Sequence, residues 1–254
     1  MKVTFLGTGT SQGIPPIGCK SAVCLSDNPK DKRLRTSIHI DFGDINIVVD
    51  SGPDFRQQML RIDAQKLDAL LFTHEHKDHT AGMDDIRPFN FMQNRAMDIY
   101  ATTCVQEALK KQFDYIFNGA DYPGLPQVNL KTIENNRPFF IGQHEVIPIE
   151  VLHYKLQVLG FRFNDFTYIT DANFIAEKEQ EKIKGSKVLV LNALRMQPHI
   201  SHFTLQEAID LAKKLAVPQV YFTHISHQLG FHNEVDKALP RGMNLAYDGL
   251  EITL

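Results

Sequence analysis

A dense group of candidate metal ligands follows an apolar stretch of the sequence. Residues 67–73 are predicted to form a buried strand, and His74, His76, Asp78 and His79 come directly after it. In an extended chain, residues two apart point to the same side, so His74 and His76 can bind one metal ion. Asp78 and His79 lie on the following turn and can reach a second ion. Imidazole nitrogen and carboxylate oxygen suit zinc, manganese or iron, which predicts a metal centre here.

Three further candidate ligands occupy equivalent places later in the chain. His153, Asp171 and His224 each end a predicted apolar strand. The ends of parallel strands at one edge of a sheet form a natural cleft. We therefore expect these three side chains to join the first group in such a cleft. Glu75 and Lys77 alternate with the first ligands and are expected to point away from the metal ions.

A centre of this kind would hydrolyse its substrate without a protein nucleophile. Two divalent cations so arranged lie roughly 3.5–4 Å apart and hold a water between them. A bound divalent cation lowers the pKa of water from about 15.7 to near 7, which supplies hydroxide at neutral pH. The cations also stabilise charge that develops on a phosphoryl or carbonyl oxygen.

The predicted strands come in groups, with helices between the groups. Strands are expected over residues 2–6, 37–41, 45–50, 67–73, 99–102, 187–194 and 220–223, over much of 128–170, and on both sides of Asp248-Gly249. Helices are expected over 54–61, 80–92 with an interruption at Pro88, 104–117, 176–184, 204–215 and 234–239, with a turn at 7–13 and a loop at 119–126. This order predicts an α/β (mixed α+β) fold of two mixed sheets packed face to face, with helices outside. Residues 1–254 are predicted to form a single domain.

Composition bounds the class of protein. The net charge of −3 gives no general electrostatic reason to expect a nucleic-acid or membrane partner. The sequence has no stretch long and apolar enough to predict a transmembrane helix. The three cysteines are too few for a disulfide scaffold, which favours a cytoplasmic location. Cys104 is expected to be a plain core residue.

The ordered set of histidines and aspartates resembles the metallo-β-lactamase superfamily. The resemblance rests on the His74-x-His76-x-Asp78-His79 motif, on His153, Asp171 and His224 in that order, and on Asp50 in VVDSG. The opening FLGTGTSQGIP, the cysteine segment after it, the stretch THISHQ at 223–228 and the closing DGLEI further resemble the PhnP-type cyclic phosphodiesterases. The resemblance spans nearly the whole chain and implies the four-layer αββα sandwich of the superfamily.

The resemblance also implies how the metal ions are held. One ion would be bound by His74, His76 and His153, the other by Asp78, His79 and His224, and Asp171 would bridge the two. Asp50 would lie behind the ligands and orient an imidazole or the turn at 78–79.

Two catalytic residues are predicted. Asp78 acts as a ligand, and His202 is the acid that protonates the leaving oxygen or contacts the phosphate, as the resemblance implies. His199, three residues earlier, is a rival for the acid.

A structural zinc site is also implied by the resemblance. PhnP-type proteins hold this ion with three cysteines and a late histidine, and the matching residues here are Cys19, Cys24 and His227. Ser21 stands where the third cysteine would be, and a neutral hydroxyl is a poor zinc ligand. The fourth ligand is then a water or Asp27, or the site is lost.

The favoured function is hydrolysis of a small or cyclic phosphodiester, similar to a phosphoribosyl cyclic phosphate, by a hydroxide between two zinc or manganese ions. Two alternatives stay open, namely a tRNase Z-like RNA-processing hydrolase with the same ligand set and a lactone or thiolester hydrolase. The acidic net charge and the lack of an evident basic stripe argue against nucleic acid. The resemblance also implies a homodimer.

Overall fold

The computed structural model describes residues 1–119, 122–134 and 137–254, and it contains two seven-stranded sheets. The first sheet has the order β14-β1-β2-β3-β4-β5-β6 and contains β1 (Lys2–Gly7), β2 (Ser37–Asp41), β3 (Asn46–Val49), β4 (Ala69–Leu71), β5 (Met97–Ala101), β6 (Val128–Thr132) and β14 (Glu251–Thr253). The second has the order β13-β12-β11-β10-β9-β8-β7 and contains β7 (Phe139–Ile141), β8 (His144–His153), β9 (Leu156–Phe163), β10 (Phe166–Ile169), β11 (Val188–Asn192), β12 (Gln219–Thr223) and β13 (Met243–Leu245).

Most of the helices are short. The α-helices are α1 (Ala22–Leu25), α2 (Phe55–Arg61), α3 (Lys77–Thr80), α4 (Arg87–Gln93), α5 (Thr103–Gln112), α6 (Asp114–Phe117), α7 (Glu177–Ile183), α8 (Leu205–Leu215) and α9 (His232–Ala238). Short 3-10 helices cover Pro29–Asp31, Met83–Ile86 and His227–Leu229. Among the described residues, no helix has the length and apolar character needed to cross a membrane.

Both sheets are buried on both faces. In β3, Ile47 and Val49 join the cluster between the sheets, whereas Val48 packs with α2 and its neighbours on the outer side. In β11, Val190 lies between the sheets and Leu191 lies in the outer cluster with α8. Successive residues of a strand point to opposite faces, so each sheet separates the central core from a helical layer. The predicted four-layer αββα sandwich is confirmed.

The ends of parallel strands meet at the functional cleft, but they come from both sheets. In the first sheet β3, β4 and β5 are parallel. In the second, β8 and β10 are each antiparallel to β9 and so run the same way, as do β11 and β12. The expectation that one sheet edge gathers all the ligands is therefore wrong. The motif after β4 faces ligands that follow strands of the other sheet.

Several predicted elements differ in detail. The helix expected over 80–92 is divided, and Pro88 lies in the first turn of α4, where its missing N–H costs nothing. The helix expected over 104–117 ends at Gln112 and restarts as α6. Cys104 is exposed rather than a core residue, because it lies on the solvent side of the first turn of α5. Part of the predicted loop at 119–126, residues 120 and 121, lies outside the described residues, as do residues 135 and 136 of the strand-rich region.

Candidate active site

The motif after β4 folds as a bend followed by a single helical turn. His76 caps α3 and its carbonyl accepts the backbone N–H of His79 and Thr80 at 3.0 and 3.1 Å. The turn is fixed to the segment after β3, since the backbone N–H of Ser51 donates to the His79 carbonyl at 2.8 Å. A Cβ on Gly52 would lie 2.0 Å from the Asp78 carbonyl oxygen, so only glycine allows this approach.

Asp50 fixes two ligand imidazoles through hydrogen bonds. Its Oδ2 accepts from His79 Nδ1 at 2.7 Å and from the Thr73 hydroxyl at 2.9 Å, and its Oδ1 accepts from the Thr73 N–H at 2.9 Å. Because the Thr73 hydroxyl donates to Asp50, it accepts from His74 Nδ1 at 2.9 Å. Both imidazoles are thereby held with Nε2 free to bind a metal. Sequence reasoning identified Asp50 but missed Thr73.

The second sheet supplies the other three candidate ligands. His153 is the last residue of β8, and its Nδ1 donates to the Ser201 carbonyl at 2.8 Å, which leaves Nε2 free. His224 follows β12 directly, and Asp171 follows β10 by two residues. Together with His74, His76, Asp78 and His79, these residues are called the ligand cluster below.

Asp171 lies between the two halves of the ligand cluster. Its Oδ1 is 3.4 Å from His79 Nε2 and 3.3 Å from His224 Nε2. Its Oδ2 is 4.0 Å from His74 Nε2, on the side of the other imidazoles. One carboxylate thus presents a different oxygen to each half, which is the geometry of a bridging ligand.

Three residues of the site have strained backbones. Asp50, Asp171 and His224 have φ values of 65°, 51° and 55°, in the left-handed region that favours glycine. Each lies just beyond the end of its strand. Such strain persists only where the surroundings impose it, and it concentrates at functional sites.

Charges within the ligand cluster pair with one another. Burial opposes charge on Asp171, but His224 and His79 outweigh it and hold the pKa of Asp171 well below its ordinary value. Burial likewise opposes charge on His79, but Asp171 and two further carboxylates raise the pKa of His79 well above its ordinary value. Burial, and then the charge of His79, lowers the pKa of His74, which keeps this ligand neutral. Imidazoles that bind a metal are neutral, so divalent cations would take over from His79 and His224 the positive charge beside the carboxylates.

The residues of one half fit a divalent cation, and three imidazoles lie close together in the other half. Ligand atoms of Asp78, His79, Asp171 and His224 all lie within 4.8 Å of one another, so one ion could contact all four. On the other side, the ring centroid of His76 lies 4.5 Å from that of His74 and 5.3 Å from that of His153. Several buried nitrogens have no hydrogen-bond partner among the described residues: His74 Nε2, His79 Nε2, and both nitrogens of His224. Buried polar atoms are rarely left unpaired, so the three free Nε2 atoms are candidate metal-binding positions.

His202 lies against the ligand cluster, and His199 lies farther out. The ring centroid of His202 is 4.5 Å from that of His153 and 4.7 Å from that of His224. It also comes within 4.8 Å of ligand atoms of His153 and Asp171. Burial, and then the charge of His224, lowers the pKa of His202 to about 2. The Nδ1 of His199 is instead 3.3 Å from the Ser201 N–H.

The residues between the ligands do not join the cluster. Glu75 lines a groove of about 380 Å³ together with Cys104 and Thr102, and Lys77 is exposed. Residues 9–13 have the Gly-x-Ser-x-Gly pattern of a serine-hydrolase elbow, but no helix follows Ser11, which is exposed.

A buried arginine that sequence reasoning missed holds the segment around His224. Arg33 is 4% exposed, and its Nη1 donates to Thr8 Oγ1 at 2.7 Å and to the Ala246 carbonyl at 2.5 Å. The Thr8 carbonyl accepts the backbone N–H of the residue after His224 at 2.9 Å. The Ala246 N–H donates to the carbonyl of the residue two before His224 at 2.8 Å. Arg33 therefore fixes the chain on both sides of this ligand.

Arg33 belongs to a second buried polar group, the Arg33 cluster, which comprises Arg33, Thr8, Asp31, His232 and Asp248. Arg33 Nη2 lies 3.0 Å from His232 Nδ1. Asp31 accepts the His232 N–H at 2.7 Å, and Asp248 accepts the Thr8 hydroxyl at 2.8 Å. Burial lowers the pKa of Arg33 to about 10, against the opposing effect of Asp248 and Asp31, so the guanidinium is charged at neutral pH.

The cysteine segment meets His227 as the sequence suggests. Ligand atoms of Cys19, Cys24 and His227 lie within 4.8 Å of one another. Ser21 caps α1, and its Oγ lies 3.4 Å from Cys19 Sγ and 3.4 Å from the Cys24 N–H. Asp27 is exposed and lies outside this group among the described residues.

Comparisons with known proteins agree with this geometry. A family model described as a beta-lactamase superfamily domain matches residues 45–225. An octanoyltransferase of Porphyromonas gingivalis (strain ATCC BAA-308 / W83) is 37% identical over 254 residues, 99% of this chain and 51% of that protein. A ribonuclease Z of Methanococcus maripaludis is 25% identical over 158 residues, 60% of this chain and 46% of that protein. The chain thus spans about half the length of the curated relatives it matches.

Solved structures give the same assignment. A new diphosphatase from the PhnP family has a TM-score of 0.93 and 38% identity, with 100% of this chain and 97% of that chain covered. Zn²⁺-bound PqqB from Methylobacterium extorquens has a TM-score of 0.84 at 19% identity, with both chains fully covered, and shows the fold alone. This chain belongs to the metallo-β-lactamase superfamily and is a PhnP-type member of it.

Proposed function

We propose that the chain is a binuclear metal-dependent phosphodiesterase that acts on small or cyclic phosphodiesters. The single observation that carries this proposal is the position of Asp171, with one oxygen 3.3–3.4 Å from His224 and His79 and the other 4.0 Å from His74. A PhnP-family diphosphatase of similar sequence supports phosphorus–oxygen hydrolysis. The octanoyltransferase relative is about twice as long as this chain, so its name does not say which activity belongs to the half that aligns.

In this proposal the ligands divide as His74, His76 and His153 for one cation and Asp78, His79 and His224 for the other. Bound divalent cations would lower the pKa of a water and stabilise charge on the phosphoryl group. Asp171 would hold both cations at a fixed separation. Asp50 and Thr73 would keep the imidazoles in the tautomer that presents Nε2.

His202 would assist the leaving oxygen. Its ring packs against His153 and His224, at the rim of the ligand cluster. The low pKa means that His202 is neutral before substrate binds. To act as the acid it must bind a proton, and a nearby anionic phosphodiester would favour that protonated form. Replacement of His202 by Ala should then slow esters of poor leaving groups more than esters of good ones, with metal content unchanged. Equal losses for all leaving groups would remove His202 from this role.

The proposed function is tested with a substrate panel on purified protein loaded with zinc or manganese. Cyclic and linear phosphodiesters, RNA, a lactone and a thiolester are compared, and metal is counted in each sample. We expect the highest kcat/KM with a small or cyclic diester and two metal ions in the ligand cluster. A preference for RNA would favour the ribonuclease Z-like alternative, which the sequence similarity to ribonuclease Z proteins supports. Turnover of the lactone or thiolester alone would refute the phosphodiesterase.

We further propose that Cys19, Cys24 and His227 bind a zinc ion with an exchangeable fourth ligand. Thiolates and imidazole are good zinc ligands, whereas the Ser21 hydroxyl is not. Substitution of Ser21 by Cys should therefore tighten zinc binding in a competition assay with a chelator. Unchanged zinc retention in this variant would argue against a metal at this cluster.

A further inference from the structure

Large apolar side chains are exposed beside the ligand cluster. Tyr154 directly follows the ligand His153 and is 49% exposed. Phe174 lies three residues after Asp171 and is 54% exposed. Ile200 lies two residues before His202 and is 66% exposed. Tyr154, Phe174 and Ile200 are called the apolar rim below.

Hydrogen bonds tie the three segments of the apolar rim together. The Asn173 side chain accepts from the Tyr154 N–H at 2.8 Å and donates to the Ile200 carbonyl at 3.1 Å. The Phe174 carbonyl accepts from the backbone N–H of the residue before His153 at 2.9 Å. The rim is therefore built on the same backbone that positions the ligands, and it is not a set of independent loop residues.

The backbone of Tyr154 carries a strain that packing does not explain. Tyr154 and Lys155 form the two-residue turn between β8 and β9, and Tyr154 has a φ of 60°. Glycine or asparagine is favoured at such a position, and a bulky aromatic residue is unusual. A half-exposed ring gains little burial in exchange for this conformation. A ligand contact gives a physical reason for a tyrosine in this place.

The chemistry of the rim favours a flat apolar ligand. The rim offers two aromatic rings and an aliphatic side chain, with the Lys155 ammonium 5.3 Å from the centre of the Tyr154 ring. Stacking on aromatic side chains is tolerant of sequence and chemistry, because every base or aryl ring has a π-face. A phosphodiester whose phosphate lay at the ligand cluster would bring its ester group to this rim.

We propose that Tyr154 and Phe174, with Ile200, form a subsite that stacks a planar aromatic group, a nucleobase or a simple aryl ring, on the non-leaving side of the diester. This inference rests on the proposed phosphodiesterase function. It selects diesters that carry an aromatic group over purely aliphatic diesters.

The test uses three esters with the same leaving group, p-nitrophenolate. The non-leaving group is thymidine in the first, a second p-nitrophenyl ring in the second and ethyl in the third. We expect kcat/KM for at least one aromatic ester to exceed that for the ethyl ester by about tenfold, mainly through KM. The comparison of the first two esters distinguishes a nucleobase from a simple aryl ring.

Variants assign the preference to the rim. Tyr154→Ala and Phe174→Ala should each bring the ratio of aromatic to ethyl ester towards one, with metal content retained. Tyr154→Gly should lower the ratio while thermal stability holds or rises, because glycine relieves the strained φ. The control is Phe91→Ala, since Phe91 is 70% exposed on α4, apart from the site, and the ratio and the activity should not change.

The outcomes separate the inference from the function on which it rests. If the metal-loaded protein hydrolyses none of the three esters, the proposed function fails. If it hydrolyses the ethyl and aromatic esters with equal kcat/KM, the function stands and the subsite is refuted. If light scattering shows that the rim variants dissociate a dimer while the ratio persists, a second copy of the chain covers the rim, and the proposal is overturned.

Discussion

The ligand cluster and the Arg33 cluster are both buried groups of carboxylates and imidazoles, and they differ in their source of positive charge. In the Arg33 cluster the positive charge comes from the protein itself, from the guanidinium of Arg33. Both oxygens of Asp31 and both of Asp248 accept hydrogen bonds. In the ligand cluster, four nitrogens of His74, His79 and His224 have no hydrogen-bond partner among the described residues.

The contrast distinguishes a structural polar cluster from a binding site. Burial of unpaired polar atoms is costly, so a group that serves only the fold satisfies its own donors and acceptors. From the unpaired nitrogens around a shared carboxylate we infer that the ligand cluster binds metal ions. The Arg33 cluster supports that arrangement by fixing the chain on both sides of His224.

The largest expected effect comes from the bridging carboxylate. Asp171→Asn removes a charge that both cations would share, and metal ions supply several kcal/mol of transition-state stabilisation. Phosphodiesterase kcat/KM should therefore fall by on the order of a thousandfold. Metal content, measured by atomic emission, should fall with it.

Asp165→Asn is the matched control, because Asp165 is a half-exposed partner of Lys187 on the surface. It should leave both readouts unchanged. Full activity in Asp171→Asn would mean that the ligand cluster, like the Arg33 cluster, needs no metal ion for its function.

Loss of Arg33 should act on stability instead. Arg33→Met removes the buried charge near Asp31 and Asp248 and its hydrogen bonds to Thr8 and to the Ala246 carbonyl. Asp248 keeps Arg61 at 3.4 Å, but removal of one partner from a buried charged group typically costs about 3–5 kcal/mol. The free energy of unfolding, measured by urea denaturation of metal-loaded protein, should fall by that amount.

Lys2→Met removes the same charge from the exposed pair of Lys2 with Glu251, where the expected cost is about 0–1 kcal/mol. If both variants lost the same free energy of unfolding, the Arg33 cluster would contribute no more to stability than an exposed ion pair. A loss of zinc affinity in Arg33→Met would add that the cluster also positions His224.

The two clusters also differ in how far the sequence predicts them. The ligands lie at strand ends with local spacing, so residues 74–79 and the later His153, Asp171 and His224 stand out in a single sequence. The layers of the fold follow from the grouping of strands and from the alternation of buried residues.

The remaining features depend on long-range contacts that no local pattern encodes. Arg33 meets Ala246 and His232 across some 200 residues of chain, and the residues on either side of it, Lys32 and Leu34, are only half-buried. The division of the ligands between two sheets depends on how the sheets pack. The exposure of Cys104 depends on the phase of α5, which periodicity fixes poorly in the first turn of a helix.

A smaller effect on catalysis is expected behind the ligands. Asp50→Asn removes the charge that accepts from His79 Nδ1 and the Thr73 hydroxyl, so both imidazoles lose their fixed tautomer. Mutation of such a partner typically costs 10–100-fold in metal affinity or activity, and we expect about that loss in zinc affinity by chelator competition. The control is Ser37→Ala, a buried change that removes hydrogen bonds to the Val49 and Asp50 carbonyls without touching an imidazole. Equal losses of zinc affinity in both variants would mean that Asp50 acts through its backbone and not through its carboxylate.

The smallest expected effect is a pH dependence of stability within the Arg33 cluster. Burial, and then the charge of Arg33, lowers the pKa of His232 to about 4, against the opposing charges of Asp236 and Asp31. The unfolded chain, with an ordinary histidine pKa near 6.5, binds this proton more readily, so stability falls as the pH drops from about 6.5 towards 4. His232→Asn keeps an acceptor for Arg33 but does not titrate. Between pH 7 and 4.5 the wild type should lose on the order of 1–2 kcal/mol more than this variant in urea denaturation, with chelator present in both. Parallel stability curves would mean that Arg33 does not exclude the proton from His232, and the charge balance assigned to this cluster would then be wrong.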